Sequence, residues 1–283
     1  MYYIPILGAL SAAGATILEK IALKVNKINI KLFLTSTFLA SVLIMFPLIW
    51  FFWRVDAPAF KLINLLIFLG VIILSIAANL FAFYSLKWEK IGNLEPARVL
   101  EPLFTILLAI IFSFFFEGIY ERNTNIIIPA LIASAALIFS HVEKHHLKFN
   151  KYFLAAIIGS TLFALELVVS RLILDFYSPI SFYFLRCLCV AIFGIILFKP
   201  KFKKIEGNHR WQILIIGGLW VGFRVLVYYG YLKIGVIFTT LMVLLAPIFI
   251  YIFAYIFLKE KISWRNIIAS IIIAGSVVYA LLI

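Results

Sequence analysis

The chain has little charge. Only 13% of its 283 residues are Asp, Glu, Lys or Arg, and 65% are hydrophobic. A soluble domain is nearer about 25% charged and about 45–50% apolar. One water-soluble core of this size cannot bury the excess, so lipid must solvate most of the surface. Acidic residues are scarcer still, 12 against 25 basic ones, which leaves a net charge of +13. In a soluble protein that balance points to nucleic acid. Here the basic residues fall in short gaps between apolar runs, as at a membrane–water boundary, and no nucleic-acid partner is expected. Cysteine is nearly absent. Cys187 and Cys189 stand two apart in an apolar run, and on a helix that spacing points them to different sides. No disulfide framework or metal motif follows.

Other absences remove whole classes of chemistry. There is no glycine-rich phosphate loop, no nucleophile elbow and no zinc-protease motif, so ATP hydrolysis has no site. The loop "HVEKHH" carries His141, His145 and His146, and it reads as a solvated basic loop before it reads as a metal site. An embedded enzyme would need a polar catalytic cluster, and the histidines lie outside the span interiors. The chain is therefore not read as an enzyme, and no cofactor is expected apart from proton coupling.

What is abundant is long apolar runs. A membrane helix needs about 20 mostly apolar residues, and ten stretches qualify: 2–23, 32–53, 62–86, 93–116, 124–142, 152–173, 179–198, 211–232, 236–258 and 263–283. Barrel strands would be about 10 residues long and alternating, which excludes that class. The opening "MYYIPILGALSAAGATILEK" has no positive leader region and reads as the first span. The expectation is an all-α, multi-pass protein of the cell membrane.

The two halves repeat. "LKWEKIGNLEPARVLEP" runs from Leu86 to Pro102, and "YLKIGVIFTTLMVLLAP" from Tyr231 to Pro247. Both are 17 residues long, contain Ile-Gly and end in proline within an apolar run. Glu117 and Glu260 close the apolar stretches that follow. Gly8 aligns with Gly159, and Lys20 with Arg171. Ten spans then divide into residues 1–146 and 147–283, five in each. An odd number per repeat inverts the second copy in the membrane, a signature of transporters whose site lies at the repeat interface. "LEPLFTILLAIIFSFFFEG", "LAPIFIYIFAYIFLKEKISWRNIIASIIIAGSVVYALL" and "PISFYFLRCLCVAIFGIIL" resemble the EamA-type ten-helix members of the drug/metabolite transporter superfamily. The resemblance implies a central cavity between two inverted five-helix repeats and alternating access by their rocking. The function expected is secondary transport of a small polar organic solute, an amino acid or similar metabolite. The alternative is a translocase or accessory subunit for a lipid-linked sugar or phospholipid. The partners expected are a small-molecule substrate and membrane lipid; the oligomeric state is not legible.

Candidate site residues follow from charges inside spans, which are functional by default. Arg224 sits in "VGFRVLVYYG", with Trp220 and Tyr228 one turn to either side. The repeat maps Arg224 onto Asn79. Glu166, in "LFALELVVSR", is a candidate partner of Arg224, a proton carrier, or both. Arg98 and Glu101 open the fourth span after Glu95 and Pro96, and Tyr84 precedes it. Arg186 is read as structural or as reaching the cavity. A lining with both charge signs and aromatic edges suits a zwitterion better than a simple cation.

Orientation follows from charge. The odd-numbered loops hold 16 of the 25 Lys and Arg, and the even-numbered loops hold 4. The positive-inside rule puts the odd loops in the cytoplasm and both termini outside, whereas the family resemblance implies termini inside. The charge count is followed here. Thiol labelling of intact cells is expected to find the segment from Lys201 to Lys204 protected; labelling of that segment from outside would reverse the topology.

Overall fold

The computed structural model describes residues 4–25, 28–89, 94, 97–141, 150–202, 205, 207–249, 251–252 and 263–282. Among these, ten α-helices account for most of the chain. They are α1 (Ile4–Lys20), α2 (Ile30–Phe52), α3 (Leu62–Trp88), α4 (Leu100–Phe115), α5 (Thr124–His141), α6 (Lys151–Leu174), α7 (Pro179–Phe198), α8 (Gly207–Lys233), α9 (Val236–Val243) and α10 (Trp264–Leu282). Seven stretches, those of α1–α3, α6–α8 and α10, are long and apolar enough to cross a membrane. Those of α4, α5 and α9 are shorter apolar helices. Glu95 and Pro96, the loop residues from Val142 to Phe149, and the segment holding Tyr255 and Glu260 lie outside the described residues.

The surface is apolar, and the charged and polar groups of the spans sit inside, within a core that is otherwise apolar. Trp50, Phe51, Phe114, Phe115 and Leu282 are exposed, while Glu166, Arg186, Arg224, Asn79 and a series of Ser and Thr hydroxyls are buried. Lipid explains the inversion. Hydrocarbon accepts Phe and Leu at no cost, and a polar group must find its partners inside the bundle. The hydroxyls do so locally: Thr37, Ser41, Thr105, Ser134 and Thr240 each donate to a carbonyl four residues back on their own helix. Helix starts near the boundary are capped by side chains. Asn29 accepts from the Lys31 amide, Asn150 from those of Tyr152 and Phe153, and Ser178 from that of Ser181, which satisfies donors that have no intrahelical partner.

The fourth and ninth of the stretches expected to span are interrupted among the described residues. Pro102 falls in the first turn of α4 after a turn at Val99, so its missing N–H is one the helix start never needed. In the ninth span the helix breaks at Leu244 and Leu245, just before Pro247. There Leu245 donates to Met242 and Ile248 to Leu245, each three residues back. Pro247 has no N–H to give to the Val243 carbonyl, and its ring crowds that carbonyl.

Helices of the first half pack against helices of the second. α3 lies on α6, α1 on α8, α2 on α7, α5 on α10, and α4 on α9. Advancing every helix number by five returns the same set of pairs. The α3–α6 contact is close at Gly159, where a Cβ would stand 3.2 Å from the Ala82 amide nitrogen and 3.4 Å from the Ala78 carbonyl oxygen.

Two ties join the halves at the end formed by the even-numbered loops. Asp56 donates its amide to the Phe176 carbonyl at 2.8 Å, and Ser178 to that of Arg54 at 3.0 Å. Val55 and Tyr177 form the antiparallel bridge. The Arg54 guanidinium donates to the Asp175 carbonyl at 2.5 Å. In the second tie, Glu121 accepts from the amides of Ile237 at 3.1 Å and Phe238 at 3.3 Å, capping α9 from across the bundle. The N-cap residue of α9 is Gly235, at φ 89°, so it has no side chain to cap with. A Cβ there would overlap the Glu121 carboxyl. Gly235→Ala is therefore expected to lose both the left-handed turn and the cap, lowering stability by roughly 1–3 kcal/mol. Thermal unfolding in detergent measures it, and an unchanged midpoint would count against this reading of the turn.

Candidate functional site

The site is built around one carboxylate. Glu166 stands mid-helix on α6 and is fully buried. α7 brings Arg186 to it at 3.3 Å, and α8 brings Arg224 at 3.6 Å on the other carboxyl oxygen. Ser170, one turn further along α6, donates to Glu166 Oε1 at 3.1 Å, and Tyr228 donates to the same atom at 3.2 Å. α3 supplies Ser75 and Asn79, which face the cluster from one turn to the next. Four helices from both halves thus meet at one buried ion cluster.

The two arginines are held differently. Arg186 donates from Nη1 to the Tyr228 hydroxyl and from Nη2 to the Ser75 hydroxyl, both at 2.8 Å. Both of its terminal nitrogens are therefore engaged. Arg224 Nη1 is buried without a hydrogen-bond partner, and its pairing with Glu166 is the longer of the two. Its guanidinium instead lies among aromatic rings, 5.6 Å from the centroids of Phe163 and Phe223 and 5.9 Å from that of Trp220. Desolvated contacts of that kind contribute up to about 2 kcal/mol each. They hold the charge without using its donors.

Beside Arg224 is a cavity of about 30 Å³, lined by Glu19, Asn79, Phe163, Trp220, Arg186 and Arg224 among others. That is room for about two waters. Asn79 shares this wall while donating its amide to the Ser75 carbonyl at 2.8 Å.

The structure thus brings together five of the residues expected from the sequence: Arg224, Glu166, Asn79, Trp220 and Tyr228. Glu101, in the first turn of α4, is within electrostatic reach of Arg224, Arg98 and Glu166, and Arg98 is within reach of Glu19. Tyr84 is not brought in. It lies toward the far end of α3, and its ring packs on Tyr152 at 5.4 Å; the register of α3 carries it more than one turn past Asn79. Glu166 answers Arg224, as expected, and also Arg186, which sequence reasoning left between two roles. Glu19 was missed altogether. It looks like the end of the first span, but a π-helical turn, Ile21–Val25, continues the helix beyond Lys20, so Glu19 sits inside the bundle at 2% exposure. Its spacing before a basic residue is the pattern of an ordinary helix end, and no sequence signal separates the two.

Residues 150–282 match the EamA-like transporter family. The resemblance to the drug/metabolite transporter superfamily therefore holds, and the matched segment carries Glu166, Arg186, Arg224 and Tyr228. EamA-like proteins are membrane transporters, and the seven long apolar stretches of this chain suit a multi-pass membrane protein. The fold agrees over almost the whole length. A crystal structure described only as that of a protein superposes with a TM-score of 0.73 at 18% identity, covering 99% of this chain and 95% of the other. No curated protein matches the chain.

The unequal bonding of the two arginines in this EamA-like half has a measurable consequence. Arg186→Met leaves the Ser75 and Tyr228 hydroxyls without the donor they accept from and takes the nearer of two cations from Glu166, and removing one partner of a buried pair costs about 3–5 kcal/mol. Arg224→Met removes a charge with an unused donor and leaves Glu166 paired with Arg186. Thermal melts in detergent are expected to show Arg186→Met as the more destabilised variant, with Arg224→Met monodisperse. The opposite ranking would mean that Arg224 is the one holding the helices.

Proposed function

We propose that the chain is a secondary transporter of a small polar organic solute, working by alternating access between two inverted five-helix repeats. The observation that carries this reading is the guanidinium of Arg224. It stands at a cavity shared by helices of both halves, buried, with Nη1 3.6 Å from Glu166 and making no hydrogen bond. A charge at that depth costs about 2.5–3.5 kcal/mol on insertion scales, and an anionic group of a solute is the partner that would use its free donors. The pairing of helices under a shift of five supports the repeat, as do the breaks before Pro102 and Pro247. Transport at this site needs movement. Pockets that enclose small molecules are about 300–1,000 Å³, against about 30 Å³ here. The two halves would have to separate to admit a solute.

The even-loop end is where they are tied, through the Val55–Tyr177 bridge and Glu121. Access in this state would be from the odd-loop end, which the charge count assigns to the cytoplasm. Residues paired across an antiparallel bridge are close enough for a disulfide. In a Cys187→Ala, Cys189→Ala background, Val55→Cys with Tyr177→Cys is expected to lose solute flux in proteoliposomes on oxidation and regain it on reduction. Flux that persists with the disulfide formed would sink alternating access at this end. Flux of a lipid-linked phosphate, with none of any soluble solute, would instead establish the translocase alternative.

A further inference from the structure

We infer that Glu19 recognises the ammonium group of a zwitterionic solute whose carboxylate is held by Arg224, with Trp220 setting the distance between them. The inference rests on the transporter reading of Arg224 and adds the second half of the site and the charge class of the substrate.

Glu19 comes from α1 and Arg224 from α8, the two helices paired across the halves. Both line the same cavity. Trp220, one turn before Arg224, touches both in different ways. Its Nε1 donates to Glu19 Oε1 at 2.6 Å, and its ring lies under the Arg224 guanidinium at 5.9 Å. The carboxylate is at the edge of the indole and the guanidinium is over its face. Among the described residues the two form no ion pair with each other. Opposite charges that line one small cavity would ordinarily collapse together, because the low dielectric strengthens their attraction. Here a rigid ring holds them apart.

That arrangement discriminates by charge. A simple amine would meet Glu19 but be repelled by Arg224 and leave its Nη1 without a hydrogen bond. A simple anion, a phosphate included, would meet Arg224 but face Glu19. A solute carrying both an ammonium and a carboxylate completes both ends. Arg98, within electrostatic reach of Glu19, offsets part of its charge but lies on the α4 side and is not among the residues lining the cavity. The remaining wall sets Phe38, Phe83 and Phe163 beside Thr37, Ser41 and Tyr183, a mixed surface that accommodates the side chain of an amino acid.

The test uses purified full-length protein and three charge forms of the same molecules: the L-amino acids as a panel, their N-acetyl derivatives, which lack the cation, and their amides, which lack the anion. Wild-type protein is expected to bind at least one free amino acid at least roughly tenfold more tightly than its N-acetyl derivative and than its amide, the range of one charge-assisted contact being roughly tenfold to a hundredfold. Glu19→Gln keeps an oxygen for the Trp220 N–H and is expected to erase the preference over the N-acetyl form while that form still binds. Arg224→Met is expected to erase the preference over the amide. Tight wild-type binding of N-acetyl derivatives with no gain for the free amino acids would overturn the role of Glu19 and leave the small-solute reading standing. Binding of none of the three forms would remove the amino-acid class, and with it this inference; uptake of another soluble solute would then decide the transporter reading separately. Should Glu19→Gln fail to fold, the wild-type comparison of the three forms decides alone, since it needs no variant.

Discussion

One carboxylate in the depth of the bundle organises the rest. Glu166 meets two guanidiniums, a tyrosine hydroxyl and a serine hydroxyl at once, and these come from α6, α7 and α8. Arg186 then extends the network to α3 through Ser75. In lipid there is no hydrophobic force to press helices together, because the tails are as apolar as leucine. Buried polar contacts and close packing must supply the specificity. Moving α7 or α8 away from α6 would strand a charge where water cannot compensate it, so the cluster sets which helices are neighbours and in what register.

The same network separates two kinds of arginine. Arg186 is consumed by the fold, with both terminal nitrogens engaged. Arg224 is placed by ring faces and a long ion pair, and its Nη1 makes no hydrogen bond. The aromatic ring that supports Arg224 also reaches Glu19, so a single side chain, Trp220, relates the positive and negative parts of the wall.

The ends of the bundle are built by different rules from its middle. At the even-loop end, backbone amides and carbonyls of loops from opposite halves bond to one another, and Glu121 caps a helix of the other half. These contacts run through backbone groups and one carboxylate, in contrast to the ions buried around Glu166.

Much was legible in the sequence. The length and number of apolar runs, and the rule that backbone must satisfy itself in lipid, are enough to specify a helical bundle. The matching Ile-Gly and proline positions of the two halves are what suggested a repeat. Arg224, Glu166 and Asn79 stood out because a charge or an amide inside an apolar run has few reasons to be there. Three things were decided only by tertiary structure. Arg186 and Arg224 look alike as lone arginines in apolar runs, and only the positions of Ser75 and Tyr228 on other helices make one locked and the other available. Tyr84 resembles a cavity aromatic until the register of α3 turns it onto Tyr152. Glu19 reads as a helix end until a π-helical turn and the packing of α1 on α8 carry it into the interior. In each case the local sequence states the side chain's chemistry, but its partner comes from far along the chain, and only the packing of the helices brings that partner within bonding distance.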